Sequence, residues 1–277
     1  MIDYRNLAVF LLILALFLGA TVEISEGLIP IGVILFIIAV ILISKIEIKG
    51  GKVKQSKYRL ILGVSVVMAV IVYNIKTNST LGTLDMMTTL FGISLIAQDL
   101  NKEDIRKMGL FGMYMSGVFI ILFLIFFSMF NRFNIDLIHQ FDHHFVLLPT
   151  VFIIKAAGIP IHVIGTETVY IQGVEEMSVI IGGPCSGLYS MFLLIATVIA
   201  YSRMERVERK KVMLLLAIAV LVAYIANLTR VVILYIVGFF YGVDTMMLVH
   251  VHLGWIIFIV VMFILLSIIK RFERFVD

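Results

Sequence analysis

Apolar runs separated by short polar stretches organise this 277-residue chain: 6–22, 28–44, 60–75, 81–97, 109–130, 184–202, 212 to about 229, and about 251–269. Each approaches the roughly 20 residues that a helix needs to cross about 30 Å of hydrocarbon. The pattern predicts an all-α polytopic membrane protein with about eight transmembrane helices. A shorter apolar run, 145–158, contains Pro149 and Lys155 and fits a re-entrant or interfacial segment better than a span. Beyond it, between 161 and 183, β-branched and aromatic residues alternate with Gly and Glu (Val169, Tyr170, Ile171, then Val174, then Val179, Ile180, Ile181). That predicts a small external β-hairpin turning near Gly173. The chain divides into N-terminal transmembrane helices (1–130), an external or re-entrant segment (131–183) and a second helical set (184–277), read together as one integrated membrane domain.

Composition agrees with the pattern. Hydrophobic residues make up 62% and charged residues 14%, more apolar surface than a soluble domain of this length could bury. The first apolar run could imitate a signal peptide, but Glu23, Ser25 and Glu26 do not form a small-residue cleavage site and a second run follows at once. It is therefore expected to be a retained helix.

The net charge of +4 comes from short basic stretches instead of one basic face, which argues against a nucleic-acid partner. Arg5 and the stretches 45–59, 102–107, 203–211 and 270–274 hold all of the 22 Lys and Arg except Lys76, Arg132, Lys155 and Arg230. The positive-inside rule makes those stretches and both termini cytoplasmic. The parity of spans then requires 131–183 to stay outside. On this topology His139, His143, His144, His162, His250 and His252 are all external. The first four read either as polar residues of the longest wet loop or, for His139, His143 and His144, as a metal site, although they lack a defining ligand spacing.

Three residues are expected where helices meet the external surface. Cys185, the only cysteine, lies in Gly182-Gly183-Pro184-Cys185-Ser186-Gly187, a loop running into a helix with Pro184 suited to its start. With one cysteine, an intramolecular disulfide or a multi-cysteine metal site is excluded. A helix N-terminus favours the thiolate, so Cys185 reads as a nucleophile or as a small buried apolar residue. Arg230 interrupts an apolar stretch, follows Asn227-Leu228-Thr229, and reads as a snorkelling side chain or as a fixed charge that holds a thiolate or an oxyanion. His250, with His252 as its alternative, precedes Gly254 and Trp255 at the expected start of the last span and could act as acid or base.

Cys185-Ser186-Gly187 at a helix start, Asn227 and Arg230 in the next span, and His250 ahead of Gly254 and Trp255 together resemble the exosortase and archaeosortase family of membrane cysteine transpeptidases. The resemblance covers about 158–258. It implies an enzyme that cleaves exported proteins near a C-terminal motif followed by a transmembrane helix and a basic tail. The new carboxyl end passes to an acceptor, a lipid in archaeal members. It further implies Cys185 as nucleophile, Arg230 as electrostatic stabiliser and His250 as acid or base, with no cofactor or metal. Two other classes fit parts of the sequence: a transporter or channel with Asp85 and Arg230 as intramembrane charges, and a metal-dependent membrane hydrolase built on the external histidines.

Overall fold

The long apolar runs fold as helices because a chain in hydrocarbon must satisfy its backbone internally. The computed structural model describes residues 9, 12–13, 15–16, 19–20, 29–43, 53–78, 82–129, 137–180 and 187–276. Within these lie α1 (Ile29–Ile43), α2 (Lys57–Thr77), α3 (Thr83–Ala97), α4 (Glu103–Phe123), α5 (Leu137–Phe141), α6 (Leu148–Ala156), α7 (Leu188–Met204) and α8 (Arg209–Val276), with three short strands between α6 and α7. Val9, Leu12, Ile13, Ala15, Leu16, Gly19 and Ala20 are also helical. Among the described residues three helical stretches are long and apolar enough to cross a membrane: Lys57–Thr77, Glu103–Phe126 and Arg209–Val261. Large apolar side chains such as Ile61 (64% exposed) and Ile75 (71%) point outward from α2. A water-facing surface would not carry such a band, whereas lipid accepts it. The protein is a mostly helical transmembrane protein with one small sheet.

The chain forms two compact units. One comprises Met1–Asn6, Glu47–Phe133 and Phe192–Ala219. Here helices approach closely through small residues, as membrane helices do when no hydrophobic force drives them together. A Cβ at Gly63 of α2 would stand 2.6 Å from the carbonyl oxygen of Gly92 on α3. One at Gly109 of α4 would stand 2.6 Å from the carbonyl oxygen of Ser94. The buried Gln98 ties the three helices together. Its Oε1 accepts from Arg59 Nη1 at 2.6 Å, and its Nε2 donates to the carbonyls of Ser94 (3.2 Å) and Gly109 (3.3 Å). A buried side-chain amide is tolerable only when both ends are satisfied in this way.

The other unit comprises Leu7–Ile46, Asn134–Met191 and Val220–Asp277. The expected interfacial run 145–158 belongs to a longer helical stretch, 137–156, in which α5 and α6 are joined by a π-helical turn at Asp142–Leu147. It contributes Val146, Leu147, Val151 and Ile154 to a core completed by the sheet and by α8.

The sheet extends the expected hairpin by one strand. β1 (Ile161–Val163), β2 (Thr168–Gln172) and β3 (Glu176–Ile180) form an antiparallel meander in the order β1-β2-β3. Alternation does the packing: Val169, Ile171 and Met177 turn inward to the core while their neighbours face outward. The β2–β3 turn falls at Gly173, as the sequence predicts.

The largest departure from the hydropathy reading concerns α8. The helix does not end near Thr229, nor does the last one begin near Val251. Helical structure runs on to a break at Gly242, whose φ of 82° and ψ of 178° lie outside the helical region. Only glycine adopts that φ without strain. We refer to the helical segments before and after it as α8a and α8b.

Candidate functional site

Cys185 and the rest of the loop 182–186 lie outside the described residues. The described chain resumes at Gly187, whose carbonyl accepts the first hydrogen bond of α7 from Met191 N at 3.0 Å. Gly187 has φ +79° and lies tight against the Asn227 side chain of α8a; a Cβ there would stand 2.7 Å from both Asn227 Cβ and Nδ2. The glycine two residues after the cysteine is therefore required by its backbone angle and by its neighbour.

One helical turn beyond Asn227, Arg230 is half-buried and reaches the face of α8b. A Cβ at Gly254 would lie 3.6 Å from Arg230 Cζ and from one terminal nitrogen, an ordinary contact distance, so the guanidinium lies beside Gly254. His250 lies one turn before Gly254, on the same face of α8b. His252 is displaced from His250 by about 200° around the helix. Helix geometry thus turns His250, and not His252, toward Arg230. Trp255 packs elsewhere, with two ring carbons 3.1 and 3.3 Å from where a Cβ on Gly19 would sit.

The break that separates α8a from α8b is clasped by the β2–β3 turn. Val174 N–H donates to the carbonyl of Phe239 at 3.0 Å, satisfying a carbonyl near the end of α8a. The Glu175 carboxylate accepts from Val243 N at 3.2 Å, placing negative charge at the start of α8b. Gly173 allows the approach, since a Cβ there would stand 2.8 Å from Phe239 Cα. The turn therefore fixes the relation between the helix segment carrying Arg230 and the one carrying His250. Glu175→Ala is expected to destabilise the fold by about 1 kcal/mol, the usual cost of losing a helix-terminal acceptor, and Glu175→Gln, which keeps an acceptor oxygen, by less. Thermal unfolding of the purified full-length protein checks the order.

The other sequence candidates are placed differently. His139 pairs with Glu167, and His143 Nδ1 donates to the carbonyl of Thr166 at 2.6 Å, so both tie the 137–156 helix to the β1–β2 loop. The His144 ring packs edge-on against His143, and His162 sits in β1 opposite Tyr170. Among the described residues no group of three or more His, Cys, Asp or Glu could hold a metal ion. Asp85 caps its own helix, its Oδ2 accepting from Gly82 N at 3.1 Å. Sequence reasoning missed Glu175: its partner Val243 is 68 residues away, and no local pattern links them.

The fold and this Asn-Arg-His arrangement define a helical membrane protein with polar side chains gathered on two facing helix segments. The chain belongs to the transmembrane exosortase family, whose model matches residues 23–267. No curated protein and no solved structure is significantly similar to it. Membership links the protein to the processing of sorting signals on exported proteins.

Proposed function

We propose that this protein is a membrane-embedded cysteine transpeptidase that cleaves the C-terminal sorting signal of exported proteins and transfers the new carboxyl end to a lipid acceptor. The observation that carries the reading is the position of Arg230 beside Gly254, one turn from His250, while Asn227 of the same helix as Arg230 touches Gly187. Cys185 is two residues along the chain from Gly187, and two Cα–Cα steps of about 3.8 Å reach at most about 8 Å. On that short tether, the reading brings the thiol to Arg230 and His250.

In this reading the Cys185 thiolate attacks the scissile carbonyl carbon, and the oxygen takes up the negative charge opposite Arg230. His250, protonated, donates its proton to the departing amine as the C–N bond breaks, leaving a thioester on Cys185. The acceptor nucleophile then attacks the thioester, gives its proton to His250 and releases the thiolate. Eight spans with both termini cytoplasmic would present this chemistry at the external interface. There a substrate helix with a basic tail would be oriented like the enzyme's own helices.

The test is chemical. Purified full-length protein in lipid vesicles is mixed with a tagged exported protein of the same genome that ends in an apolar helix and a Lys/Arg cluster. Under single-turnover conditions the tagged fragment is expected on the enzyme as an adduct that neutral hydroxylamine releases as a hydroxamate. Processing that proceeds without a hydroxylamine-sensitive adduct at any time would sink the thioester route.

A further inference from the structure

Beside His250 the second unit encloses a cavity of about 260 Å³. Its floor is buried and apolar, formed by Val231 and Leu234 of α8a and Met246 of α8b. His250 contributes one wall, and Val179 and Ile180 at the end of β3 contribute another, with Ile180 66% exposed at the rim. Successive strand residues point to opposite faces. A cavity that touches both Val179 and Ile180 therefore wraps the end of the strand instead of lying under one face of the sheet. The order β1-β2-β3 also gives β3 a neighbour on one side only among the described residues.

Resting on the transpeptidase reading, we infer that this cavity receives an apolar side chain of the substrate, that of the first residue on the leaving side of the scissile bond, with the substrate backbone extended along β3. Three features carry the inference. Among the described residues no Asp, Glu, Lys or Arg lines the cavity, and a charged side chain would be desolvated against this lining without compensation. His250, which protonates the leaving amine, is itself part of the wall, so the residue bearing that amine is the one the cavity meets. The edge of β3 away from β2, which no described strand pairs, offers backbone donors and acceptors that a peptide pairs by strand addition. A lipid acyl chain has nothing to pair with them, which decides for a peptide occupant.

The experiment uses the full-length enzyme in vesicles and the tagged exported protein described above, its cut site first located by mass spectrometry. The residue after the cut is changed to Gly, Ala, Leu, Phe and Asp, and each form is processed by the wild type and by Ile180→Trp and Val179→Phe, which fill the cavity from its rim and wall. With wild-type enzyme, kcat/KM is expected to rise at least tenfold from Gly to Leu or Phe and to fall at least tenfold with Asp. In the filled variants the order is expected to invert toward Ala and Gly, a change that general loss of folded protein cannot produce. A flat wild-type profile, or an equal fall on every substrate in both variants, overturns the proposal. So does an unchanged peptide profile with a shifted ratio of lipid-linked to hydrolysed product, which assigns the cavity to an acyl chain. Failure of the underlying reading has a separate signature: Cys185→Ala would then process the series as the wild type does, whatever the cavity variants do.

Discussion

Cys185→Ala is expected to lower processing of a tagged sorting-signal substrate by on the order of 10³-fold or more, because removing a nucleophile leaves only binding and electrostatics. Cys185 is the sole cysteine, so no second thiol can substitute. Cys185→Ser supplies a weaker nucleophile in the same place and is expected to fall between the two. The measurement is the rate of appearance of trimmed product in vesicles, with the amount of folded protein matched by its thermal unfolding midpoint. A Cys185→Ala rate within tenfold of wild type would remove the cysteine from the chemistry and with it the proposed function.

The second large effect is expected at Arg230. Loss of one preorganised donor to a developing oxyanion costs roughly 10²- to 10³-fold in kcat, and Arg230→Ala is expected in that range with KM little changed. Arg230→Lys is expected to recover only part of the loss. The guanidinium is a planar fork lying beside Gly254, whereas lysine is a point charge on a flexible stem. A fall in KM-related binding alone, with kcat intact, would make Arg230 a substrate anchor instead. The Arg230→Lys result also separates fixed geometry from mere charge: full recovery would mean that any cation at that level suffices.

Much of this protein could be read before its coordinates, for a physical reason. Lipid demands long apolar helices, and apolar runs such as those around α2 and α4 have no other use. The strand turn at Gly173 was equally legible, because alternation and glycine act locally. Other features were not local. Hydropathy falls around Asp244, His250 and His252 and so marks the start of the last helix too late, yet a helix requires only its own backbone hydrogen bonds and continues through polar residues. The true break sits at Gly242, where an isolated glycine in a long apolar stretch gives no hydropathic signal. β1 was missed because three residues are too few to show a period. For the candidate site, Arg230 and His250 stood out as polar residues in apolar surroundings, whereas the place of Arg230 beside Gly254 and the clasp of Glu175 on Val243 exist only once distant segments meet.

The contact between Gly19 and Trp255 bears on how this protein can be taken apart and recombined. Gly19 lies before residue 23, where the family match begins, yet it braces the helix segment that carries His250. In a chimaera that borrows the first helix of a relative, any residue larger than glycine at this position requires the indole to give by a few tenths of an ångström, or Trp255 to be exchanged along with it. The N-terminal segment is not a neutral anchor that can be swapped at will; its compatibility with the last helix is a matched pair of surfaces.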